Sequence, residues 1–414
     1  MSTSLSASFA TIWARELQES LFTTNVWKPQ ANFRLESDLK EGNAVKRLYK
    51  SRPVPQTYTR YSDVSYGSPA TTAETLTVAT TPVVPFVISD LDELQSTPKA
   101  RKGFTDDAVE MINNVINGYY LAEVANAGAV VDDSDLGGTA GNGMVLTTTN
   151  IMKTFALAQK KLGRKNVMNY KPGMSNLAAN ITPDVYQTLI EYVAGRGTIG
   201  GDYAGENGLA GQYMGFDLYV HNGGYWTANI YMPTQPTDGD TIVIKVTDAT
   251  VTFTFKTTIG TTAGNILIGG SNDAAGANLA ALINAGGVTS DAGVSNVSLS
   301  NDNQSAIYGL SATYTAGTDI LALTWRGVGA PVISETFTSA NNIVKSQQAI
   351  SHNLFTVKGA VDMVVAKYPT VEVDKLPDRL SEYSIKISSL FGQKTFVDGA
   401  RKMVDVKVAT DLYA

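Results

Sequence analysis

Apolar residues recur at steps of three and four positions in several stretches of the chain, and this spacing is typical of amphipathic helices. The longest stretch is 106–127, with Thr105 as its expected N-cap and Gly128 as its expected stop. At 1.5 Å per residue this helix would be about 33 Å long. The stretches that predict helices are residues 8–22, 106–127, 150–162, 183–193 and 273–285.

Two of the shorter helices carry boundary signals of their own. Asn150 and Thr182 precede them as expected N-caps, and Gly163 and Gly195 follow as expected stops. The stretch 8–22 has a large apolar stripe for a terminal helix, so we expect it to dock onto another surface.

Alternation of apolar and polar residues predicts short strands between and after these helices. Together with the helices, the strands predict an α+β fold. The predicted strands are 176–181, 216–220, 241–246, 251–256, 296–300, 312–315, 320–326, 354–357, 361–365, 369–373 and 402–408.

Residues 42–95 have an unusual pattern for a compact domain, with runs of Thr and only short alternating pieces such as 75–78 and 83–88. Proline removes a ladder donor and favours edge strands, so the segment predicts a long two-stranded excursion instead of part of a core sheet. An isolated hairpin is marginally stable in water, and we therefore expect support from another chain. The prolines of this segment are Pro53, Pro55, Pro69, Pro82 and Pro85.

Charge divides this region into a basic part and an acidic part. Residues 42–62 contain basic side chains and no acid, whereas acids are frequent from 90 to 110. The basic part is either a solvated arm or a positive edge that lies across an acidic patch of a neighbouring subunit, a role that suits arginine. The candidate interface residues are Trp13, Lys46, Arg47, Lys50, Arg52, Tyr58, Arg60, Asp90, Asp92, Glu93, Asp106, Asp107 and Glu110.

The composition changes between 237 and 343. This segment of 107 residues contains 17 Thr, three basic and eight acidic side chains, a net charge of −5. Its strand pattern is interrupted by one helix, and the earlier mixture of patterns resumes after it. We therefore expect a separate β-rich module inserted into a host domain.

Composition restricts the possible chemistry. The 414 residues carry a net charge of −6, no cysteine and two histidines, which excludes disulfides, zinc–thiolate sites and thiol catalysis. The acidic balance argues against a dedicated DNA-binding protein. We expect neither a secretory signal nor a membrane span.

The dispersed tryptophans are expected core or interface anchors: Trp13, Trp27, Trp226 and Trp325.

Three local motifs could indicate a site, and each has a simpler explanation. Residues 195–200 match the dinucleotide fingerprint, but a predicted helix stands where a strand is required. Asp132, Asp133 and Asp135 could offer oxygen ligands to calcium, although a solvated turn is the more common meaning. His221 could act as a base, but no partners complete a triad, which favours a structural turn residue. We expect no catalytic residue, cofactor or metal.

The order of these parts resembles the major capsid proteins of tailed bacteriophages, which have the Hong Kong 97 fold. The arm at 1–40, the loop at 42–94 and the helix at 105–128 carry the arrangement. NLAANITPDVYQTLI at 176–190 and GQYMGFDLYVHN at 211–222 resemble segments of the axial domain. GAVDMVVAK at 359–367 and LFGQK at 390–394 resemble the closing strands, and DGDT, FTFK and NLAALIN within 237–343 are similar to a β-rich module of phage structural proteins.

The resemblance implies a division of the chain into the parts of that fold. They are an N-terminal arm (1–41), an extended loop (42–95), a peripheral domain with a spine helix (96–147), an axial domain (148–236), an inserted β-rich surface domain (237–343), a return of the axial domain (344–385) and C-terminal strands of the peripheral domain (386–414).

The resemblance also implies a structural role without enzymatic activity, in an icosahedral shell that encloses double-stranded DNA. The implied partners are further copies in hexamers and pentamers, a scaffolding protein, a portal protein and decoration proteins. The implied location is the virion, assembled in the bacterial host cytoplasm. Two alternatives stay open: a phage tail or baseplate structural protein, and a secreted β-sandwich glycan-binding protein.

Overall fold

The fold is given by a computed structural model. It describes residues 25–39, 42–50, 55–64, 66, 68, 70–89, 100–165, 176–196, 211–246, 249–288, 295, 297–344, 349–375 and 382–410. The predicted helix at 8–22 and the interface candidates Trp13, Arg52, Asp90, Asp92 and Glu93 lie outside these residues.

The helices of the described part are separated by long strand-rich stretches, which confirms a mixed α+β fold. They are α1 (Trp27–Gln30), α2 (Ala100–Ala122), α3 (Ile151–Arg164), α4 (Pro183–Ala194), α5 (Asn272–Asn284), α6 (Asn301–Ala306) and α7 (Val397–Ala400), with 3-10 helices at Glu123–Asn126 and Asp133–Leu136.

The strands follow the chain order. They are β1 (Ala44–Lys50), β2 (Thr71–Thr77), β3 (Val83–Ser89), β4 (Ala129–Val131), β5 (Leu177–Ile181), β6 (Gln212–Tyr213), β7 (Phe216–Val220), β8 (Gly223–Tyr231), β9 (Thr241–Val246), β10 (Ala249–Lys256), β11 (Asn265–Leu267), β12 (Leu310–Thr315), β13 (Ile320–Val328), β14 (Pro331–Thr336), β15 (Ile343–Val344), β16 (Ile350–Val357), β17 (Asp362–Lys375), β18 (Glu382–Lys394) and β19 (Met403–Ala409).

Several helix boundaries differ from the predicted ones. The helix α2 ends at Ala122 and not at 127, and Thr182 precedes α4 without a side-chain capping hydrogen bond. The long helix α2 begins at Ala100, so Thr105 lies inside it, because alanine, arginine and lysine at its start are good helix formers. Gly163 lies inside α3, and Asn150 does not cap α3 with its side chain. The Asn150 Oδ1 instead accepts a hydrogen bond of 2.8 Å from the N–H of Thr147, as an asparagine in a turn commonly does.

Three strand predictions also need correction. Residues 297–300 form no strand; Ser300 caps α6 and accepts a hydrogen bond from the N–H of Asn303. The strands predicted at 361–365 and 369–373 are one strand, β17, whose register shifts on both sides of Lys367. Pro369 fits this irregular part because proline cannot donate to a ladder. The strand β8 lay outside the predicted set.

The largest sheet of the described residues has ten strands. Its main order is β12-β13-β8-β16-β5-β7-β6, with β15 beside β8 and β19 between β16 and β4. The helices α3 and α4 cover its central strands. Phe155 on α3 packs edge-on against Phe216 and Phe355, with ring centroids 6.1 and 5.0 Å away. These rings form the centre of a core that joins α3 and α4 to the sheet.

The segment 237–343 contributes to two sheets. Four of its strands form a separate sheet in the order β11-β10-β9-β14, whereas β12 and β13 extend the ten-stranded sheet through β8. The buried side chains of Trp226, Ala228 and Ile230 on β8 share one core with Phe253 and Leu279 of the segment. The core of the β-rich module therefore extends to residues outside 237–343.

The long helix α2 packs between this region and a three-stranded sheet of order β17-β18-β3. Gly118 faces β13, where a Cβ in its place would make an ordinary van der Waals contact with the carbonyl oxygen of Arg326. The segment before β1 is anchored beside the helix. Gln30 and Asn180 are fully buried and exchange side-chain hydrogen bonds of 2.8 and 2.9 Å.

Candidate assembly surface

Residues 44–77 include the two-stranded excursion that the proline pattern predicts. The strands β1 and β2 pair antiparallel from Ala44 and Thr77 to Lys50 and Thr71. The strand β3 leaves this hairpin and pairs with β18 in the three-stranded sheet. The side chains of β1 alternate between exposed and half-buried, so the hairpin has two different faces.

The inner face attaches the base of the hairpin to the body of the protein. Arg47 donates to Asp398 Oδ2 at 2.6 Å and lies 3.4 Å from Asp362 Oδ2, and its guanidinium lies 5.2 Å from the centre of the Phe396 ring. Leu76 on β2 is fully buried beside Phe396. Arg47 thus forms contacts within its own chain, to two acids that are absent from the predicted set.

The Asp362 carboxyl lies in an unusual environment at this contact. It is 3 % exposed and accepts a hydrogen bond from the Asn32 side chain. Burial raises the pKa of Asp362, and the nearby Asp398 raises it too, while Arg47 opposes this change. The ion pair with Arg47 therefore offsets part of the cost of a buried carboxylate.

The outer face of β1 carries the charges that remain directed to solvent. Lys46, Leu48 and Lys50 are exposed on this face, and Leu48 is 68 % exposed. The segment beyond β1 is also exposed and contains large aromatic side chains. Tyr58 and Tyr61 are 66 % and 86 % exposed, and the guanidinium of Arg60 lies 4.9 Å from the centre of the Tyr61 ring.

The described acidic candidates lie near the start of α2. Asp106 is exposed, whereas Asp107 and Glu110 are half-buried. The three-stranded sheet has five exposed large apolar side chains, and the strand register places Val83 and Val87 on the opposite face from Val371 and Val373. The five residues are Val83, Val87, Tyr368, Val371 and Val373.

The three aspartates proposed as calcium ligands are hydrogen-bonded to their own loop. Asp132 Oδ1 accepts from the Ser134 hydroxyl at 2.6 Å, Asp132 Oδ2 accepts from the N–H of Gly141 at 2.8 Å, and Asp135 pairs with Lys161. Partial burial raises the pKa of Asp132, but these hydrogen bonds outweigh burial and the pKa is lowered overall. Within the described ranges, no group of three or more His, Asp or Glu residues is placed to hold a metal ion.

The two histidines occupy different buried environments. His221 is 4 % exposed, its Nδ1 accepts from the N–H of Gly223 at 3.3 Å, and burial lowers its pKa to about 4. His352 lies between Asp405, at 2.8 Å from Nδ1, and the Thr227 hydroxyl, at 3.0 Å from Nε2. No pattern in the sequence predicts this network, which joins strands β8, β16 and β19.

The other residues that the sequence analysis singled out lie in the core or outside the described residues. Trp27, Trp226 and Trp325 are buried, which confirms the core interpretation for these three. The loop that begins at Gly195 follows α4, as expected, and its residues 197–200 lie outside the described part. No helix in the described ranges has the length and apolar character needed to cross a membrane.

The described architecture is a mixed α+β fold with a protruding hairpin, a long helix and strands from distant parts of the chain. A chain of Mycobacterium phage Che8 has this fold at a TM-score of 0.54 and 12 % identity, with 96 % of each chain covered. A chain from the capsid structure of cyanophage P-SCSP1u has it at a TM-score of 0.53 and 10 % identity, over 99 % of this chain and 96 % of that chain.

These comparisons extend over nearly the whole length of each chain, and they confirm the predicted resemblance to phage capsid proteins at the level of the fold. No protein-family model matches the sequence. No curated protein sequence matches it either.

Proposed function

We propose that this protein is the major capsid protein of a tailed bacteriophage and that copies of it assemble into an icosahedral shell around double-stranded DNA. The observation that carries this proposal is the fold shared with a chain of the cyanophage capsid over almost the entire length. The exposed hairpin supports it, because an extended two-stranded element is marginally stable without further contacts.

In this proposal the chain has the parts of the Hong Kong 97 fold. The hairpin β1–β2 is the extended loop, α2 is the spine helix, and α3, α4 and the central sheet form the axial domain. The β-rich insertion domain is built on the strands from β8 to β15. Pentamers and hexamers form when the hairpin of one subunit lies across a neighbour, and many modest contacts then stabilise the shell.

The same proposal covers partners and location. The shell would require a scaffolding protein and a portal protein, and decoration proteins would bind its surface. The subunit would assemble in the bacterial host cytoplasm, reside in the virion and have no enzymatic activity. The acidic composition of the chain, with a net charge of −6, is compatible with a container that does not condense its DNA.

Negative-stain microscopy and sedimentation of the full-length protein, expressed with and without a scaffolding protein, test this function. We expect closed particles of megadalton mass. Tubes or rings would instead support the tail or baseplate alternative, and a monomer that binds glycans would support the secreted alternative. Either of these outcomes would contradict the capsid function.

A further inference from the structure

A cleft of ≈ 290 Å³ lies where α2 crosses the ten-stranded sheet. Tyr119 from the helix and Glu123 just after it form one wall, and Tyr225, Thr324 and Arg326 from β8 and β13 form the other. The opposite face of these two strands carries Trp226 and Trp325, which are buried in the core of the β-rich module. The cleft therefore lies on the polar face of the sheet.

Arg326 is the cationic group of this cleft. Its guanidinium lies 4.8 Å from the centre of the Tyr119 ring. In the described part of the chain, no carboxylate oxygen lies within 4.0 Å of a guanidinium nitrogen of Arg326, although the side chain is half-buried. Partly buried arginines normally pair with acids, so the guanidinium has hydrogen-bonding capacity that the fold leaves unused.

The backbone of Arg326 is closely approached by a glycine. The carbonyl oxygen of Arg326 would lie 2.2 Å from a Cβ at Gly309, so this position requires glycine for the approach. The N–H of Arg326 donates to the Gly309 carbonyl at 3.1 Å. Because Gly309 and α2 fix the strand on both sides, the guanidinium needs little rearrangement to receive a ligand.

The acidic residue in the cleft is engaged elsewhere. Glu123 Oε2 accepts from the hydroxyl and the N–H of Thr395, at 2.7 and 3.1 Å, and from the Asn126 side chain at 2.9 Å. These donors fix Glu123 Oε2 beside Thr395, and the Glu123 carboxylate forms no ion pair with Arg326 within 4.0 Å. The negative charge of Glu123 nevertheless disfavours the binding of an anion with several negative charges.

Two hydroxyl groups lie beside Arg326 on the same face of the sheet. Ser311 and Thr324 face each other across β12 and β13 and share a hydrogen bond. A hydroxyl can rotate to donate to an oxygen atom, and the planar guanidinium offers two parallel donors that match a carboxylate or phosphate. The donors of the cleft therefore suit oxygen acceptors.

We propose that this cleft binds a small oxyanion of low charge, a carboxylate or a monobasic phosphate, through the guanidinium of Arg326. This binding site is independent of shell assembly, and the protein would have it as a free subunit. Whichever of Ser311 and Thr324 accepts in their shared hydrogen bond keeps its own O–H to donate to the anion, and Glu123 limits the charge of the bound group.

Thermal unfolding of the full-length subunit in sodium acetate or sodium phosphate, compared with sodium chloride at matched ionic strength, tests the proposal. We expect a saturable increase in Tm for the wild type and for the control Arg164→Gln, which removes the same charge from an exposed position on α3. Arg326→Gln should raise the half-saturation concentration by at least about tenfold, because it removes charged hydrogen bonds. An increase in Tm that saturates with acetate but not with phosphate identifies a carboxylate site. An increase in Tm that saturates with phosphate identifies a phosphate site.

Two results would overturn the proposal. One is the absence of a saturable increase in Tm with either anion beyond that of chloride. The other is an increase that Arg326→Gln leaves unchanged. Should Arg326→Gln not fold, as judged by circular dichroism, Arg326→Lys keeps the charge but loses the planar fork. We then expect several-fold weaker binding by calorimetry, and unchanged affinity would contradict the assignment to Arg326.

Discussion

The Arg47 guanidinium donates a 2.6 Å hydrogen bond to Asp398, a residue 351 positions further along the chain. This contact joins the inner face of the hairpin to the short helix α7, just before β19. It separates the basic residues of β1 into two groups, because Arg47 faces the body of its own chain while Lys46 and Lys50 face solvent. The two groups should therefore respond differently to substitution.

Arg47→Met should loosen the base of the hairpin. It removes the partner of the buried Asp362 carboxylate, and we expect the free energy of unfolding to fall by about 1–2 kcal/mol, since Arg47 itself is partly solvated. Urea unfolding of the unassembled subunit measures this change, and amide hydrogen exchange should increase in β1. The control Lys46→Met alters an exposed position and should change stability by less than about 0.5 kcal/mol. Equal effects of the two substitutions would contradict the anchoring role.

Local signals in the sequence were sufficient to predict elements that have proline, glycine or a typical capping residue at their ends. Thr182, Pro183 and Gly195 define α4, and the structure places the helix at Pro183–Ala194. The prolines of 42–95 likewise indicated a hairpin, and β1 and β2 form one, but the prediction was wrong for β3, which carries Pro85 and lies in the three-stranded sheet. Where the predictions were right, the cause acts within a few residues, because proline fixes its own backbone angle and glycine weakens a helix.

The contacts of the candidate surface could not be predicted in the same way. Alternation along β1 shows that Arg47 and Lys46 face opposite sides, but it does not show which side meets Asp362, which is 315 positions away. The strand β8, whose burial alternates at Trp226, Ala228 and Ile230, was not predicted at all, and alternation alone would not identify the core that covers it. Long-range partners depend on the assembled sheet, and a single sequence carries no periodic signal for them.

His221 should make the stability of the subunit dependent on pH. Burial lowers its pKa from 6.5 in the unfolded chain to about 4 in the fold, so between these values the unfolded chain binds more protons. The free energy of unfolding should therefore be highest above pH 6.5 and fall by up to about 3 kcal/mol as the pH drops to 4. Acidic residues titrate in the same range, so the comparison with His221→Asn isolates the effect. The urea midpoint should fall less steeply with acidification in the variant, and identical slopes would argue against this assignment.

Deletion of 237–343 should destabilise the remaining chain, because the buried face of β8 loses the core that covers it. We expect the deletion variant to precipitate or to bind hydrophobic dyes. Trp226→Thr and Ile230→Thr together should improve the solubility of the deletion variant, whereas the same pair should lower the Tm of the full-length protein. A deletion variant that is as soluble and cooperative as the full chain would show that the module has an independent core.

Reversal of the outer-face charges should prevent assembly without unfolding the subunit. Lys46→Glu with Lys50→Glu changes two exposed residues that make the positive edge of the hairpin. A second variant adds Arg60→Glu, at an exposed position, and Arg52→Glu, which lies outside the described residues but belongs to the same basic segment of the sequence. We expect normal circular dichroism and Tm but no closed particles in electron micrographs, because like charges would face an acidic neighbour. The control Lys153→Glu with Lys160→Glu makes the same charge change as Lys46→Glu with Lys50→Glu, on the exposed side of α3, and should leave particle formation intact. Normal particles from the hairpin variants would show that the basic edge does not hold subunits together.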